Sequence, residues 1–275
     1  MELYISDLDG TLLNKNAEVS EYTKDTINSL IAEGLNFTIA TARTLASAGK
    51  ILSGLDLRLP IILMNGVLIY DPAAQKYEAV NSLSGKLVKE IQTAAKNLDL
   101  DCFMYTIQNN EMNTYFEKLS SDAMKSFYNE RREKYYKSFT QTEDFSSVTA
   151  SVIYFTFINS KEKLKPLYEK FSDNPQLEIT FYDDIYSDDL WYLEVFSSKA
   201  SKKQGVKYLR QKYGFESITA FGDNLNDLPM LEEAETKCAV SNARQQLLDS
   251  ADVIVLSNNE DGVAKYLQKI FGKEI

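Results

Sequence analysis

The chain has 275 residues, 44% of them hydrophobic, with 30 basic against 40 acidic side chains and a net charge of −10. That length admits one large or two medium domains with a sizeable core, and nothing in the composition reads as disordered. The acidity argues against a general nucleic-acid binder, and the complete lack of histidine removes Ser-His-Asp, Cys-His and phosphohistidine chemistry together with most transition-metal sites.

In chain order, "LYIS" reads as a buried strand that runs into Asp7-Leu8-Asp9-Gly10-Thr11. "SEYTKDTINSLIAEG" reads as an amphipathic helix with Ser20 as N-cap and Gly34 closing it. "LNFTIA" is the next strand, "TLASAGKILSGL" a helix and "PIILMN" a third strand, followed by a hairpin-like excursion around Asp71-Pro72. Strand, helix and strand in this cadence predict parallel βαβ units. Residues 83–196 differ in character: they hold most of the Tyr-rich segments, a long charged helix ("EKLSSDAMKSFYNERREKYYKSF") and the alternating strands "ASVIYFTFI", "LEITFYDD" and "WYLEVFS". Alternation predicts an antiparallel sheet with one wet face. From "KKQGVKYLRQKYG" onward the parallel pattern resumes through "ITAF", "DLPMLEEA", "KCAV", "ARQQLLDSA", "DVIVL" and "DGVAKYLQKIF". The expected fold is therefore α/β: a doubly wound, Rossmann-like parallel core over 1–82 and 197–275, with a large α+β domain inserted at 83–196.

The N-terminus lacks the basic and apolar regions of a signal peptide, and "LPIILMNGVLIY", the longest apolar stretch, is too short to span a bilayer. Cys102 and Cys238 are far apart and have no metal-ligand spacing, which fits a reducing, cytoplasmic setting. No membrane, nucleic-acid or protein partner is expected.

In an open α/β sheet, ligands bind beyond the carboxyl ends of the strands. Four expected strand ends carry polar residues there: the Asp7/Asp9 pair, Thr41 with Ala42-Arg43, Asn65-Gly66, and Gly222-Asp223-Asn224-Leu225-Asn226-Asp227. Phosphoryl transfer has a use for such a layer, because it needs a nucleophile, charge neutralisation and proton handling. Asp7 could attack phosphorus and carry an aspartyl phosphate, splitting one hard displacement into two. Two anions that meet require a cation, and all-oxygen ligands make Mg²⁺ the natural choice, with Asp223 completing the carboxylate set. Asp9 then remains to protonate the leaving group and activate water.

"DLDGTLL", a threonine ending the second strand, a lysine opening a late helix and "GDNLND" together resemble the four motifs of the haloacid dehalogenase superfamily, in particular its Cof-type branch of sugar-phosphate phosphatases. The likeness extends to "MNGVLIYD", to "ADVIVLSNNEDGVAKYL" and to an insert of cap-domain size. The resemblance implies Asp7 as nucleophile and Mg²⁺ ligand. Asp9 would be the general acid/base, giving Mg²⁺ its backbone carbonyl, and Asp223 a further Mg²⁺ ligand, with Asp227 supporting that shell. Thr41, Asn226 and the amides of Leu8 and Ala42 would hold phosphate oxygens. It implies Lys202 as the phosphate-site lysine, with Lys199 and Lys203 as neighbouring alternatives. The implied substrate is a small phosphorylated metabolite and the implied activity its hydrolysis. A phosphomutase on the same core and a non-catalytic phosphometabolite binder are the other readings. Ala42, Ser241 and Ser197-Ser198-Lys199 depart from the family's usual residues without touching a catalytic side chain.

Two other patterns are set aside. Cys238 to Arg244 has the C-x5-R spacing of cysteine-dependent phosphatases, but Val240 and two alanines occupy a loop that would need glycines, so a core cysteine is expected. Asp7, Asp9 and Glu18 suggest an EF-hand, yet Leu12 sits where the sharp turn demands glycine. Phe103, Tyr105, Tyr154, Phe155, Phe157, Phe181 and Tyr182 are expected in the core of the inserted sheet, and "NERREKYYK" on a wet helix face.

Overall fold

Glu2–Ser6 (β1) is apolar toward both faces, as a central parallel strand must be, and Leu3 and Ile5 are fully buried. A computed structural model describes residues 1–135, 138–183 and 190–272, which divide into one unit of 1–79 with 201–275 and a second of 80–200. In the first unit β1 is followed by Glu21–Ala32 (α1), Phe37–Ile39 (β2), Leu45–Ile51 (α2), Ile61–Leu63 (β3), Leu68–Asp71 (β4) and Lys76–Val80 (β5). Ser20 caps α1 by accepting from the Thr23 amide, and Gly34, at φ 106°, takes the chain out of it.

The second unit runs through Gly85–Asn97 (α3), Cys102–Gln108 (β6), Glu111–Phe116 (β7), Asp122–Tyr135 (α4), Phe139–Gln141 (β8), Ser151–Asn159 (β9), Lys161–Phe171 (α5), Leu177–Asp183 (β10) and Trp191–Ser197 (β11). The first unit then resumes with Lys202–Tyr213 (α6), Ser217–Gly222 (β12), Leu228–Leu231 (α7), Thr236–Val240 (β13), Gln245–Ser250 (α8), Val253–Val255 (β14) and Gly262–Ile270 (α9).

The main sheet has the order β14-β13-β12-β1-β2, all parallel. The chain leaves β1 toward β2 and returns on the other side as β12, so the strand order reverses between β1 and β12. That reversal opens a crevice beyond the strands' carboxyl ends. β3 runs parallel to β2, as expected, but joins the main sheet only weakly. It pairs antiparallel with β4 in a separate three-stranded sheet, and meets the main sheet through a single parallel bridge, Ala40 to Ile62. The tight turn at Met64–Gly66 folds the apolar run back on itself, and that return explains the antiparallel pairing.

The inserted unit holds a sheet of order β10-β11-β9-β6-β7-β8, antiparallel except for β7 with β8. α3 and α5 press Leu87, Ile91, Leu164 and Leu167 onto Phe155, Phe157, Leu193 and Val195. The opposite face carries Tyr154 stacked on Phe196, and α4 with Phe127 stacked on Phe103. Tyr182 is not a core residue as expected: it is 43% exposed and stacks on Tyr192. α4 is mostly wet, but Arg131 turns inward over the Phe127 ring at 3.4 Å. Tyr136 and Lys137 of the expected charged helix, and Asp184 of the expected strand, lie outside the described residues. Among the described residues no helix is long and apolar enough to cross a membrane.

Candidate active site

Parallel pairing decides which acidic groups meet. Ser6 is in register with Phe221, and the Asp7 amide donates to the Phe221 carbonyl at 3.0 Å, so Asp7 and Asp223 emerge side by side where the strand order reverses. Gly10 adopts φ 80°, and a Cβ there would collide with the Asp223 carboxylate. Glycine thus permits both the turn and the close approach. Thr41 lies on the other flank: Ala40 donates to the Ser6 carbonyl, and Thr41 follows it, fully buried.

Carboxylate oxygens of Asp7, Asp223 and Asp227 lie within 4.8 Å of one another. Among the described residues one cation is bonded to this cluster. The side chain of Lys202, 1% exposed, donates to Asp7 Oδ1 and to Asp227 Oδ1, the latter at 2.6 Å. Its burial in α6 follows from the cap: Ser201 Oγ accepts from the Gln204 amide, which fixes the first turn and points Lys202 inward. The alternatives sit elsewhere, Lys203 pairing at the surface with Glu232 and Glu233 and Lys199 lying exposed.

Asp227 is fully committed. Its Oδ2 accepts from the Asp223 and Asn224 amides at 3.0 Å each, while Oδ1 takes the lysine. Asp223 Oδ1 accepts from Thr11 Oγ1 at 3.0 Å. The oxygens left for a ligand are therefore Oδ2 of Asp7 and Oδ2 of Asp223. An all-oxygen donor set, with three carboxylates against one ammonium, fits a hard divalent cation such as Mg²⁺.

The electrostatics agree with that surplus. Burial, opposed by Lys202 and reinforced by Asp227 and Asp223, pushes the Asp7 carboxyl above the usual range. Asp223 is raised to about 6, first by burial and then by the charge of Asp227. Asp7 and Asp227 outweigh the burial of Lys202 and hold it as an ammonium. A carboxyl raised in the folded state contributes stability that is present below its unfolded pKa and lost as pH rises through the folded value. In EDTA, the wild type is accordingly expected to lose stability relative to Asp223→Asn between pH 4 and 7. Added Mg²⁺ should reverse that loss at pH 7.5 more than at pH 5. Parallel melting curves for the two proteins across that range would refute this assignment.

Asp9 stands apart from the cluster. Its carboxylate, 52% exposed, receives a bidentate pair from Arg43 at 2.6 and 2.7 Å. The Arg43 amide in turn donates to Thr41 Oγ1 at 3.1 Å. Leu8 is fully buried, whereas Ala42 and Asn226 are exposed. Sequence reasoning passed over the partners Arg43 and Thr11, although both stand inside quoted motifs. The surplus of carboxylates in this layer is the signal that should have singled out the nearest arginine and hydroxyl. Cys238 is buried and its thiol is pushed up to about 12, which suits a core cysteine.

A model of the haloacid dehalogenase-like hydrolases matches residues 4–267. The chain is 26% identical to the phosphatase YwpJ of Bacillus subtilis, covering 98% of this chain and all of that protein. It is 27% identical to the 5-amino-6-(5-phospho-D-ribitylamino)uracil phosphatase YitU of the same organism, with 96% of each chain covered. A haloacid dehalogenase-like hydrolase from Bacteroides thetaiotaomicron shares the fold, with a TM-score of 0.81 at 24% identity over 98% of this chain and 99% of its own.

Proposed function

The chain belongs to the haloacid dehalogenase-like hydrolases, and on that footing we propose that it is a Mg²⁺-dependent phosphatase of small phosphorylated metabolites, sugar phosphates foremost. One observation supports this reading: the carboxylates of Asp7, Asp223 and Asp227 cluster at the strand-order reversal, where the buried Lys202 ammonium bonds Asp7 and Asp227. A relative that acts on a phosphorylated ribityl chain supports the substrate class.

In this reading an Asp7 oxygen attacks phosphorus, and the bond from phosphorus to the leaving oxygen breaks. Asp9, once it has exchanged Arg43 for a solvent proton, passes that proton to the leaving oxygen. Asp9 then accepts a proton from water as the water attacks phosphorus, and Asp7 leaves as a carboxylate while phosphate is released. Lys202 orients Asp7 and neutralises phosphoryl charge, joined by the Thr41 hydroxyl, the Leu8 and Ala42 amides and Asn226. Asp7 and Asp223, with the Asp9 carbonyl, would hold Mg²⁺, and Asp227 would hold the Asp223 loop in place. The metal would supply charge neutralisation between the two anions. The core at 1–82 and 197–275 would carry the chemistry, and the α+β unit at 83–196 would serve as the cap that selects the leaving group.

Turnover of p-nitrophenyl phosphate tests this directly. Hydrolysis is expected with Mg²⁺ and none with EDTA. A panel of sugar phosphates should then release phosphate faster than it interconverts isomers. Turnover that is indifferent to EDTA, or the absence of any turnover, would overturn the proposal.

A further inference from the structure

Asn65 pays for its place twice. Met64 and Asn65 are consecutive non-glycine residues in the left-handed region, at φ 49° and 53°. Such conformations are strained and cluster at functional sites. In addition, Asn65 Oδ1 is sealed from solvent with no hydrogen-bond partner among the described residues. A buried acceptor left unpaired is unfavourable, so side chains that only fill space seldom persist there. Glycine would meet the backbone demand with neither penalty.

The turn is anchored to the site on both sides. The Asn65 amide donates to the Thr41 carbonyl and the Met64 amide to the Arg43 carbonyl, each at 3.0 Å. Gly66, at φ 95°, lies so near the Ser201 carbonyl that a Cβ would collide with it, and Ser201 caps the helix that begins with Lys202. Asn65 therefore stands at the strand-end layer, between the Thr41 loop and the start of α6. Its Nδ2 makes no hydrogen bond among the described residues, and it is the end of the amide that is not sealed in. With the acceptor shut inside and the donor left outward, the side chain is arranged to meet an acceptor-rich ligand.

We propose that Asn65 is a further phosphate-binding residue of this site, donating from Nδ2 to a phosphoryl oxygen of the substrate. The proposal rests on the phosphatase reading, and a binding measurement separates the two. Inorganic phosphate is titrated calorimetrically into the Mg²⁺-loaded wild type and Asn65→Gly, and both are assayed with p-nitrophenyl phosphate. Glycine keeps the left-handed backbone, so N65G should melt no lower than the wild type. It should bind phosphate about tenfold more weakly and show a KM raised about tenfold with kcat unchanged, the signature of a lost bond to a charged group. Should N65G not fold, Asn65→Ala is read in the same way. A variant whose phosphate affinity and KM stay within twofold of wild type overturns the inference and leaves the phosphatase reading standing. A wild type that binds phosphate through Asn65 without turning over substrate does the reverse. A wild type that binds no phosphate refutes the inference outright.

Discussion

Replacing Lys202 by methionine is expected to destabilise the metal-free protein by about 3–5 kcal/mol and to abolish turnover. Methionine restores most of the volume, so packing loss contributes little. What remains is a buried set of carboxylates that has lost the one ammonium bonded to it among the described residues. Such groups escape by taking up protons, and a carboxyl raised still further in the folded state gives up its stability as pH rises. The deficit should therefore be larger at pH 8 than at pH 5, and added Mg²⁺ should recover part of it. Chemical denaturation of K202M and wild type at the two pH values, with and without the metal, reads all three effects. A K202M protein as stable as wild type at pH 8 in EDTA would mean that the ammonium does not neutralise this cluster.

Replacing Asp7 by asparagine is expected to have the opposite effect on stability and an equally severe one on activity. Asparagine keeps an oxygen for Lys202 to bond and removes one of three crowded carboxylates, so the metal-free variant should melt at or above the wild-type temperature. Turnover should nevertheless fall by at least about 10³-fold, because an amide cannot attack phosphorus. The two variants part on stability and agree on activity, which separates the lysine's structural duty from the aspartate's chemical one. Activity of D7N within tenfold of wild type would remove Asp7 from the reaction.

The main sheet was legible because β1, β2 and β12 each pair an apolar run with a following polar end, and helical spacing separates them. The convergence of Asp7 and Asp223 was legible for the same reason, since parallel neighbours end at the same level. Other features depend on packing that a one-dimensional pattern does not carry. "KASKK" offers three lysines of equal character, and only the capped first turn of α6 buries Lys202 rather than Lys203. β3 reads as a parallel strand by its apolar run and bridges β2 in that sense, while two left-handed residues after it turn the chain back so that its main pairing is antiparallel with β4. The Arg43–Asp9 pair joins residues 34 apart through side chains alone, which no period of hydrophobicity records. Tyr182 shares the alternation of its strand, yet Tyr182 is on a sheet edge where one face stays wet.

The most direct test of the account is to quench Mg²⁺-dependent turnover within its first cycle, reduce any acyl phosphate with borohydride and map the labelled residue by mass spectrometry. Homoserine is expected at position 7 in the wild type and none in D7N. Label at any other carboxylate, with position 7 unmodified during active turnover, would contradict it.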